Sequence, residues 1–135
     1  MLTTSIHQPP HGTSDEANDE QLQLARKQGE ALQNAIKEMT QRVAHGAEQR
    51  AGDYLVGYAV EKAEGLYHLE NGDLCWHEPK EENAHIEIAV RDGFDGRFVP
   101  GLTVQVTVVD HHGTLIGTHQ HPFLWHPWLY HYGRN

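Results

Sequence analysis

Residues 84–91 read AHIEIAVR, the cleanest alternation in the chain, interrupted only by Ala89 on the polar side. A period of two puts Ala84, Ile86, Ile88 and Val90 on one face of a strand. His85, Glu87, Ala89 and Arg91 take the other. Similar short runs flank it on both sides. Upstream, Tyr54, Val56, Tyr58 and Val60 alternate with Leu55, Gly57 and Ala59. Residues 66–69 and 74–76 bracket Asn71-Gly72, a pair whose residues both tolerate positive φ, which predicts a hairpin. The polar loop HEPKEEN follows at 77–83. Downstream, a turn at 93–96 precedes Leu102, Val104, Val106 and Val108, and His111-His112-Gly113 turns the chain into a strand over 114–121. Short strands punctuated by turns predict a mainly β domain over residues 53–135, a small sandwich with Greek-key-like connections.

The period before this region is different. Leu22, Ala25, Gly29, Leu32, Ile36, Met39 and Val43 recur every three or four residues, which predicts one amphipathic helix within residues 14–50. Thr13 and Glu16 fit a capping box at its start, and Gly46, Gly52 and Gln49-Arg50 punctuate its end. Its thin apolar seam suits packing on its own domain or pairing between protomers equally. Residues 1–13 carry Pro9-Pro10 and little apolar content and read as a flexible tail, with His7 and His11 solvated. There is no internal repeat.

A formal charge of −9 argues against a nucleic-acid partner. No stretch approaches the ~20 apolar residues of a membrane span, so no direct membrane insertion is expected. The first twenty residues show no signal peptide. The single cysteine, Cys75, reads as a buried, inert thiol.

The chain holds twelve histidines, and those of GTHQHPFLWHPWLYHYGRN (117–135) lie among large aromatics. Imidazole is the commonest metal ligand. His85 and Glu87 leave one strand face together, offering a nitrogen and an oxygen to a single ion, and His119 and His121 stand in the same relation. His126 and His131 follow. Imidazole with carboxylate and no thiolate cluster points to iron, copper or zinc. His45, His68, His77, His111 and His112 read as solvated. Phosphate loops, nucleophile elbows and paired cysteines are lacking.

Three motifs stand together in the β region: His85-Ile86-Glu87, His121-Pro122 at a strand end, and His131-Tyr132-Gly133-Arg134-Asn135. Their combination resembles the periplasmic iron-transport proteins, the accessory metal-binding proteins of ferrous-iron uptake, over roughly residues 53–135. The resemblance implies an immunoglobulin-like β-sandwich, here preceded by one helix. It further implies a homodimer, copper or iron held at one end of the sandwich, a membrane permease as partner, and a periplasmic or extracytoplasmic location. On this reading His85, Glu87, His121 and His131 are ligands, His119 and His126 are further candidates, and Trp125 and Trp128 close the pocket. There are departures from the pattern. His121 stands where the family usually has Met, Ala89 and Arg91 replace acidic and His residues, and no export signal precedes the domain. A further closing strand is expected after residue 135.

The expected function is non-catalytic binding of a divalent transition metal, serving uptake. A metalloenzyme with a two-His, one-carboxylate site and an Ig-like interaction module are the alternatives. Binding by neutral imidazole is expected to weaken as pH falls through about 6, given a reference pKa of ~6.5.

Overall fold

A computed structural model of the chain describes residues 11–135. His7 and most of the expected tail lie outside them. His11 is described: its ring stacks on Phe94 at 4.2 Å and faces Asp92 and Asp95 at 3.4 and 3.5 Å, so it is docked rather than solvated.

The fold is mainly β with one N-terminal helix. Helix α1 spans Asp19–Glu38, a shorter segment than the 14–50 expected. Asn18 is its N-cap and forms a capping box with Gln21. The Thr13/Glu16 box does not form, because Ser14 Oγ captures the N–H groups of Glu16 and Ala17 in a local turn. A π-helical turn, Met39–Val43, ends the helix.

Strand β1, His45–Ala51, follows where the helix was expected to continue. Its residues HGAEQRA carry little strand propensity. Pairing with β2 (Tyr54–Lys62) imposes the extended form instead, along a seven-rung ladder from His45↔Val60 to Ala51↔Tyr54. Gly46 permits the close approach, since a Cβ there would lie 2.0 Å from the Tyr58 carbonyl oxygen.

Strand β5, Ala84–Asp92, is the centre of a five-stranded antiparallel sheet. The order is β1-β2-β5-β9-β8, where β8 is Phe123–Leu124 and β9 is His131–Arg134. Two hairpins stand outside it: β3 (Leu66–Glu70) with β4 (Asp73–His77), and β6 (Val104–Val109) with β7 (Leu115–His121). The first turns at Asn71 (φ 52°) and Gly72 (φ 94°), the positive-φ pair expected of Asn-Gly.

Both faces of β5 are covered. Ile88 and Val90, with Tyr132 of β9, pack under Phe98, Val99, Leu102, Val104 and Val106. The opposite face lies under α1 and the π turn, where Ile36 and Met39 bury Ala59, Ala89 and Leu129. The helix seam therefore closes on the chain's own sheet. Gly29 is the contact point with the β5–β6 connection, since a Cβ there would fall 1.7 Å from the Asp95 carbonyl oxygen. Val43, expected on the seam, is 50% exposed at the π turn. The helix-covered face is the one that carries His85 and Glu87.

Candidate metal centre

His85 and Glu87 are successive same-face residues of β5, and ladder pairing extends that face sideways. Glu87 pairs with Gly133, so the β9 residues on its face are Gly133 and His131, while Tyr132 points to the other core with Ile88. Three side chains from two strands thus converge. His85 Nε2 lies 3.3 Å from His131 Nε2, and Glu87 Oε1 lies 3.6 and 3.4 Å from those same nitrogens. His85 and His131 are 0% exposed and Glu87 is 2% exposed.

The ring of His131 is aimed. Its Nδ1–H donates to the Leu129 carbonyl at 2.8 Å, which leaves the Nε2 lone pair facing Glu87. Such a backbone anchor on the far nitrogen is the usual support of a ligating imidazole. Gly133 makes the room, because a Cβ there would sit 2.8 Å from His131 Nε2. The glycine of H-Y-G is needed for space above the carboxylate, not for a special φ.

Electrostatics leave this cluster unresolved by the protein alone. Among the described residues neither carboxyl oxygen of Glu87 has a hydrogen-bond partner, and His85 Nδ1 has none. Burial pushes the Glu87 carboxyl up to about 8, helped by the nearby charges of Glu61 and Glu64. Burial also depresses both imidazoles, to about 4, against the raising influence of the Asn135 side chain on His85 and of the Leu129 backbone on His131. Near neutral pH the group is two neutral imidazoles and a carboxyl holding its proton.

The distances admit an ion. Ligands ~2.05 Å from a tetrahedral ion are separated from one another by about 3.3 Å, whereas octahedral neighbours stand about 2.9 Å apart. The observed 3.3, 3.4 and 3.6 Å match one face of a tetrahedron. A buried carboxyl without a hydrogen-bond partner among the described residues, a His131 lone pair aimed at it, a second buried imidazole nitrogen at 3.6 Å and a glycine-made space together fit a borderline metal ion.

The other expected ligands fall into three situations. His121 is 3% exposed, its Nδ1–H donates to the His119 carbonyl at 3.2 Å, and its Nε2 is buried without a partner among the described residues. It is presented as a ligand is. Its ring is not within the tight group of His85, Glu87 and His131, although its charge is felt at His85. His126 groups instead with Glu64 and Glu87. Its Nδ1 accepts the N–H groups of Leu129 and Trp128 at 3.2 and 3.4 Å. The neutral ring then carries its proton on Nε2, the wrong tautomer for ligation there and the right one for donating to a carboxylate. His119 is exposed and contributes its carbonyl to His121. Trp125 and Trp128, expected to close the pocket, are 53% and 46% exposed. The cover over Glu87 and His131 comes from Ile36, Met39 and Leu129, and the cavity there is only ≈ 10 Å³.

Sequence reading did not anticipate Glu61, Glu64 or Asn135 as neighbours of this group. Asn135 ties the C-terminal end of β9 to the backbone of Glu64, donating to its carbonyl at 2.8 Å. Glu61 is the ladder partner of His85, a relation that appears only once the β2–β5 register is known. No known family model, curated protein or solved structure matches the chain.

Proposed function

We propose that the protein binds a transition metal ion, copper or zinc, through His85, Glu87 and His131, without turning over a substrate. One observation carries this reading. Glu87 is buried with both oxygens unpartnered, within 3.6 Å of two imidazole nitrogens that are themselves buried. Leaving such a buried carboxyl unsatisfied, protonated or not, is costly to the folded chain unless something else completes it. An ion accepting all three groups completes it. Near-tetrahedral spacing favours copper or zinc over iron, which prefers octahedral surroundings in two-His, one-carboxylate sites. Binding rather than catalysis follows from enclosure: the adjoining cavity has room for at most one water and none for a substrate.

In the same proposal His121, whose Nε2 is buried, supplies a fourth nitrogen if the β7 end moves towards the group. The β6–β7 hairpin is then the second layer of an immunoglobulin-like sandwich. Service in metal uptake, a homodimer and a membrane permease as partner extend it on the strength of the H-x-E and H-Y-G-x-N resemblance.

The test is metal analysis of the purified chain after equilibrium dialysis, followed by X-ray absorption at the bound metal's edge. The expected result is one tight ion with two imidazoles and one carboxylate in its shell, lost in His131→Ala. Retention of that tight ion in a folded His131→Ala protein would overturn the assignment.

A further inference from the structure

Hairpin β3–β4 reverses the usual polarity of a surface strand pair. Its register pairs Leu66 with His77, Tyr67 with Trp76, His68 with Cys75, and Leu69 with Leu74. Cross-strand partners share a face, and so do residues two apart. Leu66, His68, Cys75 and His77 therefore stand on one face, and Tyr67, Leu69, Leu74 and Trp76 on the other. The first face turns inward: Leu66 is buried, and His68 and Cys75 are half-buried. The second is the outer one, with Tyr67 43%, Leu69 71%, Leu74 45% and Trp76 51% exposed. Antiparallel pairs ordinarily put apolar side chains inward and polar ones outward. Here an imidazole and a thiol face the protein while four large apolar side chains face water.

The reversal is built into the hairpin. The positive-φ turn at Asn71-Gly72 fixes the register, and only a one-residue slip would exchange the two faces. Trp76 lies over Gly65, where a Cβ would meet its ring at 2.1 Å, and its indole N–H donates to Glu78 at 2.7 Å. Tyr67 packs against it edge to face, with ring centres 4.8 Å apart. Both aromatics are thus held in place, and Trp and Tyr are among the side chains that most often carry binding energy at protein contacts. A two-stranded sheet is marginal in water by itself, and this pair belongs to no larger sheet. A cover over its apolar face supplies the burial it lacks.

The charge around the face decides what kind of cover fits. From residue 70 to residue 82 the chain carries Glu70, Asp73, Glu78, Glu81 and Glu82 against Lys80 alone. Glu70 and Asp73 form the end rung beside Leu69 and Leu74, and Glu78 stands at the other end beside Trp76. A second copy docking by this same face is related by a two-fold axis, which brings acids against acids. Anionic lipid and nucleic acid are opposed in the same way.

We propose that the outer face of this hairpin, Tyr67, Leu69, Leu74 and Trp76, is a docking surface for a different protein, one that presents apolar side chains flanked by lysine or arginine. The apolar face supplies the contact energy, and the acids at its two ends select the partner and set its orientation. None of the four side chains belongs to the His85–Glu87–His131 group, so the proposal stands independently of metal binding.

The probe is a synthetic amphipathic peptide of leucine and lysine, titrated into the full isotope-labelled chain and followed by amide NMR. The expected result is a set of shifts concentrated at residues 65–78. Affinity should fall about tenfold in Leu69→Thr/Leu74→Thr and about threefold in Asp73→Asn/Glu78→Gln. Leu115→Thr/Ile116→Thr, at an exposed apolar pair on β7, should bind as the parent does. Leu69→Lys, at the most exposed of the four positions, replaces the double leucine variant if that one does not fold, and should weaken binding at least as much. The proposal is overturned if a leucine–glutamate peptide of the same pattern binds equally well, if the Leu69 and Leu74 substitutions leave affinity unchanged, or if the shifts lie elsewhere. It is also overturned if the parent sediments as a dimer that those substitutions dissociate, which makes a second copy the occupant. Flotation with phosphatidylcholine vesicles that those substitutions abolish overturns it too, since a membrane is then the occupant.

Discussion

Glu87 and Arg91 lie four residues apart on the same face of the same strand, and both are 2% exposed. The protein treats them in opposite ways. Arg91 is met by Glu48 of β1 through two hydrogen bonds, Nε at 2.9 Å and Nη2 at 2.7 Å, with the Gly96 carbonyl at 3.4 Å from Nη1. Glu87 is met by two imidazoles and two further acids and accepts no hydrogen bond from the described residues. One end of the strand face is a finished structural ion pair. The other end is a set of aimed donors that the polypeptide does not finish. The difference teaches that burial of charge alone does not mark a site; burial without satisfaction does.

The comparison breaks most visibly at the finished end. Glu48→Ala leaves Arg91 buried and unpaired, and should lower unfolding free energy by ~3 kcal/mol in urea denaturation, with metal affinity little changed. If the loss is below about 0.5 kcal/mol, Arg91 is not held by this pair.

At the unfinished end the balance should reverse. Glu87→Gln removes a carboxyl that the fold does not satisfy, so the metal-free protein should be no less stable at pH 8, while affinity for zinc drops on the order of a hundredfold, about 2.7 kcal/mol. Calorimetric titration of variant and parent checks both halves. A large loss of metal-free stability would show that Glu87 is a structural residue like Glu48.

Acidity sharpens the contrast, and it moves the window expected from the sequence. The imidazoles, depressed to about 4, stay neutral at pH 6, so they do not limit binding there. The limiting proton is that of Glu87, at about 8. Metal affinity should rise about tenfold per pH unit from 6 to 7 and level off above 8, with one proton released per ion below that point. Stability of the metal-free protein should respond as well. Between ~6.5 and 8 the folded chain binds more protons than the unfolded one, through Glu87, so stability falls as pH rises. Between about 4.5 and 6.5 the two histidines bind fewer protons when folded, outweighing Glu87, so stability falls as pH falls. The contribution of this cluster therefore peaks near pH 6.5. A thermal-unfolding series without metal tests the shape, and a midpoint that rises steadily from pH 6.5 to 8.5 would contradict it.

The smallest effect is expected at His126. Its Nδ1 is already engaged by two backbone N–H groups, so His126→Ala should change zinc affinity less than about threefold, against a hundredfold or more for His131→Ala. Equal losses at the two positions would place His126 among the ligands.

Much of the strand pattern was legible because it is local. The Asn71-Gly72 hairpin, the alternation of residues 84–91 and the helix stripe from Leu22 to Met39 each announce themselves over one short stretch of chain. Strand β1 was not legible, since HGAEQRA has no apolar period and becomes a strand only by pairing with β2. The helix start was misplaced for a similar reason: two capping signals compete within six residues, and Ser14 settles the matter by turning the chain before Asn18.

The sequence by itself determined which chemistry is on offer. His85 and Glu87 share a face because a strand has a period of two, and no later event alters that. Only the tertiary structure decided which of four C-terminal histidines joins them. His119, His121, His126 and His131 are equivalent as residue types, but their ring orientations depend on backbone groups supplied by the surrounding loops. The Leu129 carbonyl turns the His131 lone pair inward, while the Leu129 and Trp128 N–H groups occupy that of His126. A covering helix then removes water from Glu87, and desolvation is a property of the packed whole that no local spacing of residues contains.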